Sequence, residues 1–326
     1  MRRPLIPRHW LFLVAPCLLV VGCVSVPIRI LSLIGLSQKP LVIMHVAEKN
    51  TGQPESVAQF FDPFAPYRSL REALGQAVGR AVVPELCFEF QLEPALRLGT
   101  SHLAIVSPAH YANLNAREDF RIVAVPVDRS GQAARPALLV VARDSDIQTI
   151  EDLARHKVAF GPARHPRSHL AALALLNQHG LKNTDLALEA LPIPGSLRHI
   201  AKPREVALSV MHGSADAGFI DAQGWDRFPA TSGSADTPSH EKFRVIGETA
   251  SVPNRLIIAS PKMQDATFAA VRDFLLTIGG EHPEAVEPLD VSAYEAADAE
   301  QVARWLEVVT LAADRAPASA QARSEP

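Results

Sequence analysis

Short apolar runs alternate with stretches of helical periodicity along most of the chain. In the stretch 67–79, for example, Leu70, Leu74 and Val78 fall on one face of a helix. Strands that alternate with helices of about ten to fifteen residues are typical of α/β folds with parallel sheets. The pattern therefore predicts an α/β protein whose sheets are mostly parallel and flanked by helices. The predicted strands cover 41–44, 102–106, 122–127, 137–142, 158–160, 217–221, 243–246 and 256–259.

The stretch 149–180 carries the main candidate for a binding site. The apolar run 158–160 is predicted as a buried strand, Gly161 and Pro162 break it, and helical spacing begins at about Arg167. A strand that turns into a helix presents free backbone N–H groups and the positive end of the helix dipole, which together bind anions. The polar residues of this turn, all candidate anion contacts, are Arg164, His165, Arg167, Ser168 and His169. A solvated basic loop is the alternative interpretation.

Three further candidates follow predicted strands. Ser107 and Tyr111 come directly after the strand 102–106, and Asp221 ends the strand 217–221. Ligands of open α/β sheets bind at the carboxyl ends of strands, so these side chains are predicted to contact the ligand. A core position for Tyr111 and a capping role for Asp221 are the alternatives.

The N-terminal residues have the organisation of an export signal. An apolar run over 10–22 follows three arginines, Arg2, Arg3 and Arg8. A basic start, an apolar run and a small residue before a cleavage point mark a secreted chain. The body of the protein is therefore predicted to lie outside the cytoplasm, on the periplasmic side of the membrane.

Two modes of membrane attachment remain open for this segment. Val20 to Cys23 resemble the lipobox of bacterial lipoproteins, which makes Cys23 the predicted lipidation site after cleavage of 1–23. An uncleaved anchor over 10–28 is the alternative, since 19 residues without a charged side chain are just long enough to cross a bilayer. In both cases residues 24–39 form a tether, and the chain binds the membrane through its N-terminus.

Charge and motif content exclude several functions. The formal net charge is −3, which provides no basic surface for nucleic acid. Outside the N-terminal segment Cys87 is the one cysteine, so no internal disulfide is expected. His165 and His169 have a metal-ligand spacing, but Pro166 lies between them and no carboxylate-rich cluster accompanies them. Since the GxSxG, P-loop, GxGxxG, HExxH and CxxC motifs are also missing, we expect no catalytic residues, no cofactor and no metal.

Five sequence segments in order resemble the phosphonate/phosphite-type substrate-binding proteins of ABC importers, over roughly residues 60 to 280. Among them are the end of a family helix in Leu-Gly, matched by Leu74–Gly75, and a Pro-Asn motif, matched by Ser251–Asn254. The matching segments are Pro66–Leu70 with Leu74–Gly75, Ile105–Pro108 with Tyr111, Asp144–Phe160, Gly213–Gly218 and Ser251–Asn254.

This resemblance implies the type II periplasmic-binding-protein fold, in which two lobes close on a ligand. One lobe would comprise residues 40–130 and 245–312, the other 131–244, with the chain crossing between them near 127–137 and again around 222–245. The tail 313–326 lacks bulky apolar residues and is predicted to be disordered.

The resemblance also implies a function. A small oxyanion such as phosphonate, phosphite or phosphate would bind between the lobes of a monomer, which would deliver it to an ABC permease. The turn departs from the family, because His165-Pro166-Arg167-Ser168 replaces a hydroxyl-rich segment. Arg167 could bind the oxyanion in place of these hydroxyls; the alternative is that the arginine side chains fill the cleft of a protein that no longer binds this ligand. A sensor or interaction module without a transport role is the alternative, favoured by this turn and by His156 in place of a family glycine.

Overall fold

The strands of the computed structural model follow the apolar runs of the sequence. The structure describes residues 39–46, 64–190, 194–234 and 236–313; Cys23, nearly all of the predicted tether and nearly all of the predicted disordered tail lie outside these ranges. The strands are β1 (Leu41–Val46), β2 (Val82–Cys87), β3 (Leu103–Val106), β4 (Arg121–Asp128), β5 (Ala134–Arg135), β6 (Ala137–Ala142), β7 (Val158–Phe160), β8 (Arg198–His199), β9 (Ala217–Asp221), β10 (Phe243–Glu248), β11 (Val252–Pro253), β12 (Leu256–Ala259) and β13 (Val291–Glu295).

The helices cover both faces of two sheets. They are α1 (Arg68–Val78), α2 (Glu89–Leu98), α3 (Pro108–Ala112), α4 (Ala172–Gln178), α5 (Pro203–Met211), α6 (Ala222–Trp225), α7 (Asp265–Glu281), α8 (Pro283–Val286) and α9 (Ala299–Ala313). None of the helices in the described ranges combines the length and the apolar character that a membrane span requires.

The first sheet has six strands in the order β13-β4-β12-β3-β1-β2. β1 lies parallel to both of its neighbours, whereas β12 and β13 run antiparallel to theirs. Successive side chains of a strand point to opposite faces. Accordingly, Ile43 packs with Leu70 of α1 on one face, and Met44 packs with Leu92 of α2 on the other. This sheet and its helices form the first lobe.

The second sheet has five strands in the order β10-β6-β9-β7-β8. β7 lies parallel to β8 and β9, and β6 runs antiparallel to β9 and β10. Phe219 packs with Leu173 of α4 on one face, and Ile220 packs with Val206 of α5 on the other. This sheet and its helices form the second lobe.

The α/β fold with helix-flanked sheets is confirmed, but the sheets are mixed rather than mostly parallel. The first strand that follows each crossing between the lobes is β6 in the second sheet and β12 in the first, and β13 follows β12 through α7 and α8 within the first lobe. These strands enter from the opposite end and therefore pair antiparallel. Apolar runs indicate where buried strands lie but do not indicate their direction.

A short two-stranded ribbon joins the lobes. In it β5 pairs antiparallel with β11, with Arg135 opposite Val252. The chain leaves the first sheet after β4, at 128, and enters the second at 137, within the segment predicted for the first crossing. The predicted second crossing, around 222–245, is wrong, because β10 pairs with β6 and so residues 243–248 belong to the second sheet. The loop composition of 226–242 reflects a connection inside one lobe, and the chain returns through β11.

The C-terminal helix α9 contacts both lobes. Trp305 and Leu306 are buried in the same core as Leu92 of the first lobe, whereas Val309 is buried with Phe219 of the second. The helix therefore braces the two lobes rather than belonging to the first alone. The lobe boundaries remain a proposal, with the second boundary moved from 244 to the segment before β11.

Gly218 is required by the packing of α5 on the second sheet. A Cβ atom at this position would lie 2.7 Å from Cγ1 of Val206 and 3.1 Å from Cγ2 of Val210. Both neighbours are β-branched and stiff, so they cannot easily move aside. We expect Gly218→Ala to lower the free energy of unfolding by about 1–3 kcal/mol, measured by urea denaturation. Gly233→Ala is the matched control, since no atom lies within 4 Å of its Cβ position; equal stabilities of the two variants would contradict this packing.

Candidate functional site

A cavity of about 240 Å³ lies between the lobes, beside the connecting ribbon. The second lobe contributes His165, Arg167 and Gln223 to its wall. Polar side chains of the first lobe and of the connections complete it: Tyr67, Asp128, Gln132, Asn254, Arg255, Asp290 and Tyr294. Of the eight side chains that the sequence analysis names as candidate ligand contacts, His165 and Arg167 lie in this wall.

The turn after β7 caps itself. Pro166 begins a π-helical turn, Pro166–Ala171, that continues into α4. The Nδ1 atom of His165 accepts the backbone N–H of Ser168 at 3.2 Å and lies 2.9 Å from the Ser168 hydroxyl. Since a backbone N–H can only donate, Nδ1 of His165 is the unprotonated ring nitrogen and acts as the acceptor. The amide and hydroxyl of Ser168, predicted to bind an oxyanion, are therefore bound by the imidazole of the same turn.

Arg167 and Asp221 contact each other across the second lobe. The Nη1 atom of Arg167 lies 3.2 Å from Oδ1 of Asp221, and its Nε donates to the carbonyl of Val252 in the ribbon at 2.8 Å. The two side chains are 3% and 12% exposed. Burial lowers the pKa of Arg167, and the carboxylate of Asp221 acts in the opposite direction. Two residues predicted as ligand contacts thus compensate one another's charge.

Asp221 also fills the capping role that the sequence left open. Its Oδ1 accepts the backbone N–H of Gln223 at 3.1 Å, which caps α6. With the guanidinium on one side and the helix N-terminus on the other, the carboxylate has structural partners throughout. Asp221 does not line the cavity itself, but it contacts two residues that do, Arg167 and Gln223.

Arg164 points away from the cavity and toward the first lobe. Its two terminal nitrogens bind the two carboxylate oxygens of Glu89, at the start of α2, at 2.7 and 2.9 Å. Its backbone has φ +66°, an uncommon conformation outside glycine. The sequence identified the charge of Arg164 but not its direction, because a positive φ at a non-glycine residue has no sequence signal.

Ser107 and Tyr111 are absent from the cavity wall. Ser107 caps α3, where its hydroxyl accepts the backbone N–H of His110 at 3.3 Å. Tyr111 is 6% exposed, and its hydroxyl donates to the carbonyls of Arg117 and Phe120, both at 3.2 Å. The short helix that follows β3 directs both side chains into the first-lobe core. Tyr111 is therefore a core aromatic, the alternative left open by the sequence.

The first-lobe wall of the cavity was not predicted. Asn254 could have been found, because it ends the Ser251–Asn254 motif, and Tyr67 follows the family-like proline Pro66. Arg255 and Tyr294 carry no such signal. Arg255 directly precedes β12 and Tyr294 lies in β13, and which side chains of these strands reach the cavity depends on how the lobes pack.

Positive charge is concentrated behind this wall. Burial, Arg255 and Arg71 together lower the pKa of His45 to about 4. The His45 ring lies 4.5 Å from the ring of Tyr67, which precedes Arg71 by one helical turn. Among the described residues, Nε of Arg71, Nε of Arg135 and Oδ1 of Asn254 are buried without a hydrogen-bond partner. Unsatisfied buried polar atoms are rare and are a feature of sites that bind ligands or store strain.

Comparison with known proteins identifies the family. The model described as "ABC transporter, phosphonate, periplasmic substrate-binding protein" matches residues 64–302. The chain belongs to this family. The resemblance found in the sequence and the role as a periplasmic substrate-binding protein of an ABC importer are thereby confirmed, and the family consists of solute-binding proteins that work with ABC permeases. No match is found among curated protein sequences.

Solved structures show the same type II periplasmic-binding fold. XAC2383 from Xanthomonas citri, bound to ATP, is 18% identical, with 84% of this chain and 98% of that chain covered and a TM-score of 0.64. PhnD1 from Prochlorococcus marinus, in complex with methylphosphonate, is 12% identical, with coverage of 84% and 98% and a TM-score of 0.59. The binding-protein component of an ABC phosphonate transporter from Pseudomonas aeruginosa is 18% identical, with coverage of 82% and 85% and a TM-score of 0.55. At these identities the likeness establishes the fold alone.

The buried pair of Arg167 and Asp221 predicts a large stability effect. Asp221→Asn leaves the guanidinium uncompensated inside the protein, so we expect the free energy of unfolding to fall by about 3 kcal/mol or more, measured by urea denaturation. Combining it with Arg167→Met should recover part of that loss, because no buried charge remains. Asp265→Asn, which removes an exposed partner of Arg121, serves as control. A double variant less stable than Asp221→Asn would contradict the pairing.

The turn also predicts an acid sensitivity. Burial and the neighbouring His199, His165 and Arg164 lower the pKa of His169 to about 3. The folded state therefore binds fewer protons than the unfolded state, so this contribution is complete above about pH 6.5 and is lost as the pH falls. Between pH 7 and pH 5 we expect His169→Gln to lose about 2 kcal/mol less stability than the wild type, measured by urea denaturation at each pH. His212→Gln, at an exposed position, should keep the wild-type loss; identical losses in both variants would exclude this origin.

Proposed function

We propose that this periplasmic substrate-binding protein holds a small phosphorus oxyanion against the first-lobe wall of the cavity. The observation that carries the proposal is the charge at that wall. Arg255 lines the cavity, and Arg71 lies one helical turn beyond Tyr67 with its Nε atom unsatisfied. A guanidinium binds phosphoryl oxygens with charge-assisted and often bidentate hydrogen bonds, so an oxyanion is the ligand that this wall suits.

The second lobe offers an anion less uncompensated positive charge, and fewer free donors, than its sequence suggests. Arg167 is compensated by Asp221, and the Ser168 donors are bound by His165. The acidic side chains of the wall are compensated as well, since Arg135 binds Asp128 at 3.1 Å and Arg227 binds Asp290. We therefore assign the anion to the first-lobe wall, where Arg255 lines the cavity.

The remaining lining fits a polar head group with a small substituent. Tyr67 and Tyr294 offer aromatic faces, and Gln132, Gln223 and Asn254 offer amide groups. The ligands of two structural neighbours, methylphosphonate and ATP, share phosphoryl oxygens and differ greatly in size. We propose that the ligand of this chain also carries a phosphoryl group. Measuring the binding of both compounds shows whether the cavity takes a small or a large ligand.

Attachment to the membrane is part of the same proposal. The N-terminal segment tethers a monomeric binding protein on the periplasmic side, either through lipidated Cys23 or through an uncleaved anchor over 10–28. Palmitate labelling of the wild type distinguishes these two modes, with Cys23→Ser as the control. Label in the wild type and none in Cys23→Ser supports the lipoprotein, and no label in either supports the anchor.

A sensor or interaction module without a transport role is the second candidate function. The specific observation in its favour is that the side chains of this turn bind other groups of the protein. His165 contacts Ser168, and Arg167 contacts Asp221. Both functions share the anion site proposed above, and they differ in whether a permease receives the ligand.

The anion proposal makes Arg255 the decisive residue. We expect Arg255→Gln to weaken binding of the tightest anion among methylphosphonate, phosphate, phosphite, sulfate and ATP by about 1.5–3 kcal/mol, tenfold or more, because a charge-assisted bond is lost. Isothermal titration calorimetry measures the affinities, and Arg121→Gln, which removes a charge that pairs with exposed Asp265, is the matched control. If Arg255→Gln leaves the anion affinity unchanged and Arg167→Gln lowers it, the anion binds at the turn after β7 instead. Binding of none of these anions to the wild type would contradict an oxyanion ligand.

A further inference from the structure

The ion pair between Arg164 and Glu89 joins the two lobes directly. Arg164 lies in the turn after β7 of the second lobe, and Glu89 begins α2 of the first. The pair is bidentate, with Nη1 and Nη2 each 2.7–2.9 Å from one carboxylate oxygen. Both side chains are about half exposed, at 46% and 43%. An exposed bidentate pair of this kind is screened by salt and contributes modestly to stability, so its strength suits a contact that opens and closes.

Both partners are held in place by groups other than each other. The backbone N–H of Arg164 donates to Nδ1 of His169 at 2.8 Å, which fixes the residue at its positive φ. Glu89 lies in the first turn of α2, where the helix dipole favours a carboxylate. Nε2 of His110 lies 3.8 Å from the same carboxylate. Less rotamer entropy is therefore lost when the pair forms than for two free surface side chains.

The turn that carries Arg164 connects the ion pair to the cavity and to the ribbon. His165 and Arg167 of this turn line the cavity, and Arg167 donates to the carbonyl of Val252 in β11. One end of the turn is thus fixed at the point where the lobes join, and the other end reaches the opposite lobe through Glu89. A rotation that moves this turn away from α2 breaks the contact between Arg164 and Glu89.

We propose that Glu89 and Arg164 are positioning residues that form a latch, holding the two lobes closed over the cavity without contacting the ligand themselves. The latch sets the ratio of closed to open protein, and a ligand that binds the closed form is held more tightly in proportion to that ratio. The proposal concerns closure of the protein alone, and it stands independently of which anion binds.

The test measures the closed-to-open ratio of the full-length protein in detergent, without any added ligand. Donor and acceptor dyes are attached through bio-orthogonal amino acids at Gln76 and Lys182, exposed positions on the first and second lobes, so that the native cysteines remain. Single-molecule energy transfer then reports the two populations. We expect Glu89→Gln, which keeps the shape and removes the charge, to lower the ratio about two- to fivefold.

Charge reversal and salt separate a latch from a general structural role. Glu89→Arg should lower the ratio further, and adding Arg164→Glu should restore it, because the opposite charges face each other again. Raising the ionic strength from about 0.05 M to about 0.5 M should lower the ratio of the wild type but leave Glu89→Gln unchanged. Glu300→Gln, which removes an exposed ion pair within α9, should behave as the wild type. An unchanged ratio in Glu89→Gln, or a double reversal that fails to restore it, would overturn the proposal.

Discussion

A buried guanidinium has to be compensated wherever the fold places it, and in this protein that requirement ties together the turn, the second sheet and the ribbon. Arg167 is 2% exposed, and it is stabilised by Asp221 at the end of β9 and by the carbonyl of Val252 in β11. Taking a charge out of water costs several kcal/mol unless it is paired and hydrogen-bonded. Movement of the turn after β7 relative to β9 or β11 would therefore break a contact of Arg167. β11 belongs to the ribbon that joins the lobes.

This compensation changes how the site can recognise an anion. A turn at the N-terminus of a helix, with an arginine and a serine, has the composition of an oxyanion site. Here the serine donors bind His165 and the arginine binds Asp221, so the electrostatic attraction of the turn is largely used inside the protein. Arg255 of the first lobe lines the cavity, and burial together with the charges of Arg255 and Arg71 lowers the pKa of the neighbouring His45 to about 4.

Much of the fold, but less of the site, could be predicted from the sequence. The strand Val158–Phe160 and the strand that ends at Asp221 were predictable because their apolar runs are flanked by turn residues. The second crossing was not predictable, because the polar loop 226–242 looks the same whether it joins two lobes or two elements of one sheet. Tyr111 and Arg255 show the same limit for the site. A strand end indicates that a side chain is close to the edge of a sheet, but the direction of the side chain depends on the helix that follows and on how the lobes pack.

The central claim is that the ligand's anionic group binds to the first lobe at Arg255 rather than to the turn at Ser168. The most direct measurement is an anomalous difference map from crystals soaked in selenate, a tetrahedral oxyanion whose selenium can be located without assuming a site. We expect a peak within hydrogen-bonding reach of the Arg255 guanidinium, with the His165–Ser168 contact intact. A peak bound by the backbone N–H groups of the Pro166–Ala171 turn, with His165 displaced from Ser168, would contradict it.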